Sequence, residues 1–124
     1  MEKICLDFET ALDFLRGDSG AVEKLRYYAD REELCITSFT LLNLLHTINK
    51  PEVVSAFSNS VTVLPFDRRA ANFAANLTKE IDERGDAQKR MDSILTAAIC
   101  MANNAFLFSR SPAKFDGIKG LRKV

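Results

Sequence analysis

Three carboxylates stand where a folded chain could use them together. Asp7 ends the apolar run Lys3-Ile4-Cys5-Leu6, Glu9 follows two residues later, and Asp92 opens a strongly apolar stretch that continues to Asn103. Acids gathered at strand ends and helix starts are the usual ligands of a hard divalent cation such as Mg²⁺. Such an ion polarises a phosphodiester and makes hydroxide available near neutral pH. The same positions suit helix caps and turn formers, so spacing alone leaves both roles open. Other chemistries are poorly supplied. The one histidine, His46, is too few for a zinc site built on several imidazoles and poor support for a Ser-His-Asp triad. Cys5, Cys35 and Cys100 are odd in number, lack CxxC spacing and lie in apolar stretches, so they read as reduced core residues. No GxxxxGK[ST] loop occurs, and no GxGxxG follows the first apolar run, which removes the usual support for nucleotide or dinucleotide cofactors.

A chain of 124 residues with 47% hydrophobic and 27% charged residues is expected to fold as a single globular domain over 1–124. Its 17 basic and 17 acidic residues cancel, so net charge argues neither for nor against a polyanionic partner. Acids exceed bases up to Thr62 and bases exceed acids from Val63, but halves of a sequence interleave in space. The apolar runs Ile36 to His46 and Ile94 to Ala102 are too short and too interrupted to cross a bilayer, so no membrane partner is expected. Glu2, Lys3 and Asp7 interrupt what a secretory signal would need, and a cytoplasmic location is expected.

The elements that must position these acids follow from pattern. Lys3 to Asp7 reads as a buried strand, and Thr10 to Arg16 as a short helix stopped by Gly17. Asp18 or Ser19 caps a second helix carrying Val22, Leu25, Tyr28 and Ala29. Leu34 to Thr37 is a strand, and Ser38 caps a helix to about Ile48 that Pro51 closes. Val61 to Leu64 is a β-branched strand. Asp67 caps a helix with Ala70, Phe73, Ala74, Leu77 and Ile81 on one face, ended by Arg84-Gly85. Met91 to Asn103 is apolar nearly all round, as in a helix packed on both sides, with Asp92 in its first turn. Ala105 to Phe108 is a further strand, and Leu121 to Val124 a last edge strand. Strands alternating with helices predict an α/β fold with a mainly parallel central sheet, whose ligands bind beyond the carboxyl ends of the strands.

Several motifs carry a resemblance that covers nearly the whole chain. Cys5-Leu6-Asp7-Phe8-Glu9-Thr10-Ala11-Leu12-Asp13-Phe14-Leu15-Arg16-Gly17 resembles LDTxxLIDLLRG, the opening of PIN-domain proteins of the VapC toxin type. Ile36-Thr37-Ser38-Phe39-Thr40-Leu41-Leu42-Asn43-Leu44-Leu45 is similar to their ITSxTxAELL, Val63 to Asp67 to VLPFD, and Asp92 to Ala98 to the DxxIAA helix. Leu107 to Leu121 aligns without gaps on LVTRNxxDFxxIPGL. The resemblance implies a three-layer α/β/α domain and a Mg²⁺- or Mn²⁺-dependent endoribonuclease, commonly a homodimer and commonly held by an antitoxin protein. RNA would be the substrate.

The resemblance also implies which residues form the site, and here the chain departs from the pattern. The family's four acidic positions fall on Asp7, Asn43, Asp92 and Ser111, so two acids are replaced by neutral oxygen donors. Phe8 replaces the Thr after the first acid, Ser109 the Thr before Arg110, and Lys114 the Asp before Phe115. Asp7 and Asp92 still meet the minimum for Mg²⁺, which is often held by one or two carboxylates with waters and substrate phosphates. Glu9 could reach toward the position of Asn43, giving a shifted triad of Asp7, Glu9 and Asp92; alternatively it faces solvent or the dipole of the following helix. His46 lies on the face of Asn43 and could carry a proton or contact RNA, or serve packing. Arg68, Arg69, Lys89, Arg90, Arg110 and Lys114 flank the site and could grip phosphates. Two functions are therefore expected to compete: a ribonuclease weakened by two lost acids, and a catalytically inactive PIN-like module for RNA binding or protein association.

Overall fold

A computed structural model of the chain describes residues 1–82 and 87–124. The end of the long helix expected at Arg84-Gly85 lies outside the described residues. Four strands, β1 (Lys3–Leu6), β2 (Glu33–Thr37), β3 (Thr62–Leu64) and β4 (Phe106–Phe108), form one sheet in the order β3-β2-β1-β4. Every pairing in it is parallel, with Cys5 opposite Cys35 on one side and Leu107 on the other. Parallel neighbours require crossovers, and six helices among the described residues make them: α1 (Phe8–Leu15), α2 (Ser19–Ala29), α3 (Ser38–Thr47), α4 (Pro51–Ser60), α5 (Arg68–Asp82) and α6 (Met91–Ala102).

Alternation along the strands divides the core in two, because successive side chains point to opposite faces. Leu6 and Ile36 join Ala11, Leu25, Leu44, Val54 and Phe57 from α1 to α4. Cys5, Cys35 and Leu107 join Ala70, Leu77, Ile94, Ala98 and Ile99 from α5 and α6. Helices thus cover both faces, giving the expected three-layer α/β/α arrangement. The three thiols are free and buried. A hydrogen bond with Cys100, followed by burial, pushes the Cys5 thiol well above its ordinary range; burial and then the Glu33 charge push Cys35 up to about 12. Thiols held protonated in this way are unreactive core groups, as their apolar surroundings in the sequence imply.

Local chemistry sets most boundaries. The Asp7 side chain caps α1, Asp18 caps α2, and Asp67 receives the Ala70 N–H at 2.9 Å before α5. Gly17, at φ +81°, supplies the left-handed turn that ends α1. The cap of α3 is Thr37 rather than Ser38: its hydroxyl accepts the Thr40 N–H at 3.0 Å. Pro51 does not merely close α3 but opens α4, occupying the first helical turn, where its missing N–H costs nothing. Leu121 to Val124 is not a full strand; it makes one parallel bridge, Lys123 to Leu107. A 3-10 turn at Pro112–Phe115, absent from the expectations, buries Phe115. Among the described residues no helix is long and apolar enough to cross a membrane.

Helix α4 provides a stability test. Phe57 is buried against Phe14, with ring centroids 5.6 Å apart, whereas Val53 on the same helix is exposed. Phe57→Ala is expected to lower unfolding free energy by about 3–5 kcal/mol in urea, and Val53→Ala by no more than about 0.5 kcal/mol.

Candidate active site

The order β3-β2-β1-β4 places a topological switch between β1 and β4: the chain leaves β1 toward β2 and returns from β3 to the opposite side of β1. Crevices beyond the carboxyl ends of strands at such a point are where open parallel sheets bind ligands. Asp7 occupies this position. It is the residue after β1, its N–H donates to the Phe108 carbonyl at 3.2 Å, and its own carbonyl accepts the Ala11 N–H at 3.0 Å. The residue is 6% exposed, and both carboxylate oxygens are bonded: Oδ1 accepts the Thr10 N–H at 3.0 Å and Oδ2 accepts the Ser109 hydroxyl at 2.5 Å. The loop after β4 is stitched to α1 around it. The Arg110 N–H donates to Thr10 Oγ1 at 3.2 Å, and the Ser111 N–H to Ser109 Oγ at 3.0 Å.

Asp7 opens onto a cavity of about 120 Å³ that Glu9, Thr40, Asn43, Asp92, Thr96 and Lys114 also line. Asn43 comes from α3, one turn beyond the buried Thr40. Asp92 comes from the first turn of α6, where a carboxylate is favoured by the helix dipole, and it is exposed. Two aspartates 85 positions apart in the chain therefore face one space. Among the described residues neither is in an ion pair. Besides Glu9, the lining offers the carboxylates of Asp7 and Asp92, the Asn43 amide oxygen and the hydroxyls of Thr40, Ser93 and Thr96, with no thiol or imidazole, which is the donor chemistry of a hard cation such as Mg²⁺ or Mn²⁺. The charge of the two aspartates is the charge one dication balances. The residues fit such an ion.

The shifted triad does not assemble. Among the described residues no three Asp, Glu, His or Cys side chains come together as a metal-holding group. The reason lies in Glu9: Oε2 accepts from Arg110 Nε at 3.0 Å and from the Ser111 hydroxyl at 3.3 Å, while Oε1 is paired with Lys114 Nζ. A carboxylate held by two cations has little charge left for a third. Ser111 stands behind Glu9 and does not line the cavity, and His46 is exposed on α3 away from it. Two of the flanking bases are also committed. Arg110 reaches both Asp13 oxygens at 3.0 and 3.1 Å, and Arg90 Nη2 donates to the carbonyls of Lys114 at 3.1 Å and Asp116 at 2.7 Å. The sequence pattern alone does not point to the Ser109 hydroxyl on Asp7. Its signal lies in the resemblance, where a small hydroxyl residue stands in the place of the related pattern's Thr.

The fold is a parallel three-layer α/β/α domain that brings Asp7 and Asp92 to one cavity at its switch point. Comparison with known proteins narrows it. The sequence matches no protein-family model. It is 23% identical over 129 aligned positions to the tRNA(fMet)-specific endonuclease VapC of Shigella flexneri, covering 98% of this chain and 96% of that protein. A chain of the VapBC2 complex of Rickettsia felis, solved bound to a DNA fragment from its promoter, superposes with a TM-score of 0.83 at 16% identity, covering 98% of this chain and 97% of that one. A chain of DNA-bound VapBC from Salmonella typhimurium gives 0.81 at 22% identity, covering 100% and 98%. The chain has the PIN-domain fold of VapC-type proteins and is similar to one of them in sequence over nearly its full length.

The Ser109 contact is testable. Ser109→Ala leaves one oxygen of a buried carboxylate without its donor and is expected to cost about 1–3 kcal/mol of stability in chemical denaturation at pH 7. Ser109→Thr, which keeps the hydroxyl, is expected to retain most of it.

Proposed function

We propose that this protein is a VapC-type ribonuclease that cleaves RNA phosphodiesters with a water activated at the Asp7–Asp92 cavity. The observation that carries this reading is the convergence of these two aspartates, free of ion pairing among the described residues, on one small cavity. Asp7 and Asp92 would hold a Mg²⁺ or Mn²⁺ ion, with the Asn43 amide oxygen as an auxiliary ligand. When bound, the ion polarises the phosphodiester and lowers the pKa of a coordinated water.

The remaining work belongs to the chain. The Thr10 N–H and the Ser109 hydroxyl fix both oxygens of Asp7, so its carboxylate is oriented before any ligand arrives. The Thr37–Thr40 cap anchors the start of α3 and so sets where Asn43 enters the cavity. Half-buried Phe8 and Phe39 form part of the wall and limit water on that side. The VapBC complexes among the structural neighbours support an antitoxin protein as the partner, and a homodimer is the assembly we propose. The tRNA named for the Shigella flexneri relative is the first RNA to try.

The inactive PIN-like module draws support from Asn43 and Ser111, neutral at positions where the resemblance expects acids. Cleavage decides between the two. With Mn²⁺ present, purified protein is expected to cut RNA, and Asp7→Asn or Asp92→Asn to reduce the rate by roughly 10²–10³, the scale of losing one preorganised electrostatic group. RNA left intact by the wild type would select the inactive module. Independently of turnover, Asn43→Asp adds a third carboxylate to the cavity. Unit charges about 4 Å apart at an effective dielectric near 20 interact by roughly 4 kcal/mol, more for a dication, with desolvation offsetting part. Mn²⁺ affinity measured by titration calorimetry should therefore rise about tenfold or more.

A further inference from the structure

We propose that Lys114 is the phosphate-gripping cation of this site and that Glu9 is its positioning residue, an inference that rests on the ribonuclease reading. Among the described residues Lys114 is the one basic side chain that lines the cavity with Asp7, Asn43 and Asp92. The neighbouring bases have other duties. Arg110 is held between Glu9 and Asp13, and Arg90 is turned onto the backbone of the 3-10 turn. That second contact matters here, because Arg90 binds the carbonyl of Lys114 itself and so fixes where its side chain departs.

The pairing with Glu9 holds the ammonium without using it up. An ammonium has three donors; Glu9 takes one and leaves the others for the non-bridging oxygens of a phosphate. Half of the Lys114 side chain is exposed, at 54%, so an incoming polyanion can reach it. Glu9 is fixed from three directions, by Arg110, Ser111 and Lys114, which makes it a rigid post rather than a mobile counter-ion. Charge supports the assignment. Glu9 and Lys114 cancel, and one dication would cancel Asp7 and Asp92, so the phosphate's own negative charge would meet no repulsion. A lysine stands where the related pattern carries an acid, so this grip belongs to the present chain.

The test separates grip from surface ion pairing. Binding of the full-length protein to a fluorescent single-stranded oligoribonucleotide is measured by anisotropy in EDTA across a series of KCl concentrations. Lys114→Gln is expected to lower the slope of log affinity against log salt by about 0.7, the value for one phosphate contact on a single strand. Lys114→Arg should restore it, and Lys114→Met replaces the Gln variant if that one fails to fold. In Mn²⁺-supported cleavage, Glu9→Gln is expected to lower kcat several-fold with KM unchanged or reduced, since the cation remains but loses its post. An unchanged slope in Lys114→Gln, or an unchanged kcat in Glu9→Gln, overturns the assignment. Wild-type protein that cuts no RNA overturns the ribonuclease reading instead, and the slope still decides whether Lys114 grips phosphate.

Discussion

A carboxylate buried at the end of a strand, as Asp7 is, must be compensated or it destabilises the fold. Removing such a group from water costs several kcal/mol even after relaxation, and a hydrogen bond to a charged acceptor returns about 1.5–3 kcal/mol. Asp7 accepts two, from Thr10 and Ser109, and has no ion pair among the described residues. Together the two bonds return an amount of the same order as the cost. Without a cationic side chain paired to it among the described residues, the position suits a cation, while the two bonds weld β1, α1 and the loop after β4 into one unit. The same residue ends a strand, starts a helix and faces the cavity, so its structural and chemical roles cannot be varied separately.

The two faces of the sheet contribute differently to this point. Helices α1 and α3, packed over Leu6 and Ile36, bring Glu9 and Asn43; α6, packed over Cys5 and Leu107 on the other face, brings Asp92. The cavity forms where the two layers meet beyond the carboxyl ends of the strands, and its geometry depends on both cores being correctly packed. Because α6 is buried along most of its length while Asp92 lies exposed in its first turn, that aspartate can face a ligand without weakening the helix.

Much of this arrangement was legible in the chain. Short apolar and β-branched runs located all four sheet strands, three- and four-residue spacing located α5, and an apolar stretch nearly all round located α6, because burial leaves its trace in composition. At α4 one residue type has two meanings: Pro51 reads as a terminator because its ring disfavours the preceding helical residue, yet the same ring suits a first turn, which the burial of Val54 and Phe57 three residues apart confirms. The tail from Leu121 to Val124 has strand-like residues but pairs at a single bridge. For the site, the convergence of Asp7 and Asp92 followed from strand ends and from family resemblance. The capture of Glu9 did not, because its partners Arg110 and Lys114 lie 101 and 105 positions away and nothing local marks which acid they will choose.

That capture changes what the site can hold. A cavity with four free carboxylates binds a dication strongly but presents heavy negative charge to RNA whenever the ion is absent. Here two of the acids expected from the resemblance are neutral, and the extra acid, Glu9, is cancelled by cations of the chain itself. Under the proposed assignment the empty cavity repels a phosphate less and holds an ion less tightly. A bound phosphate then supplies oxygen ligands that the protein lacks. Linkage requires the converse: whatever factor RNA adds to ion affinity, the ion adds to RNA affinity. On that assignment, neutral residues at two acidic positions would favour metal and substrate assembling together over a site preloaded with metal, and Lys114 would hold the phosphate while they do.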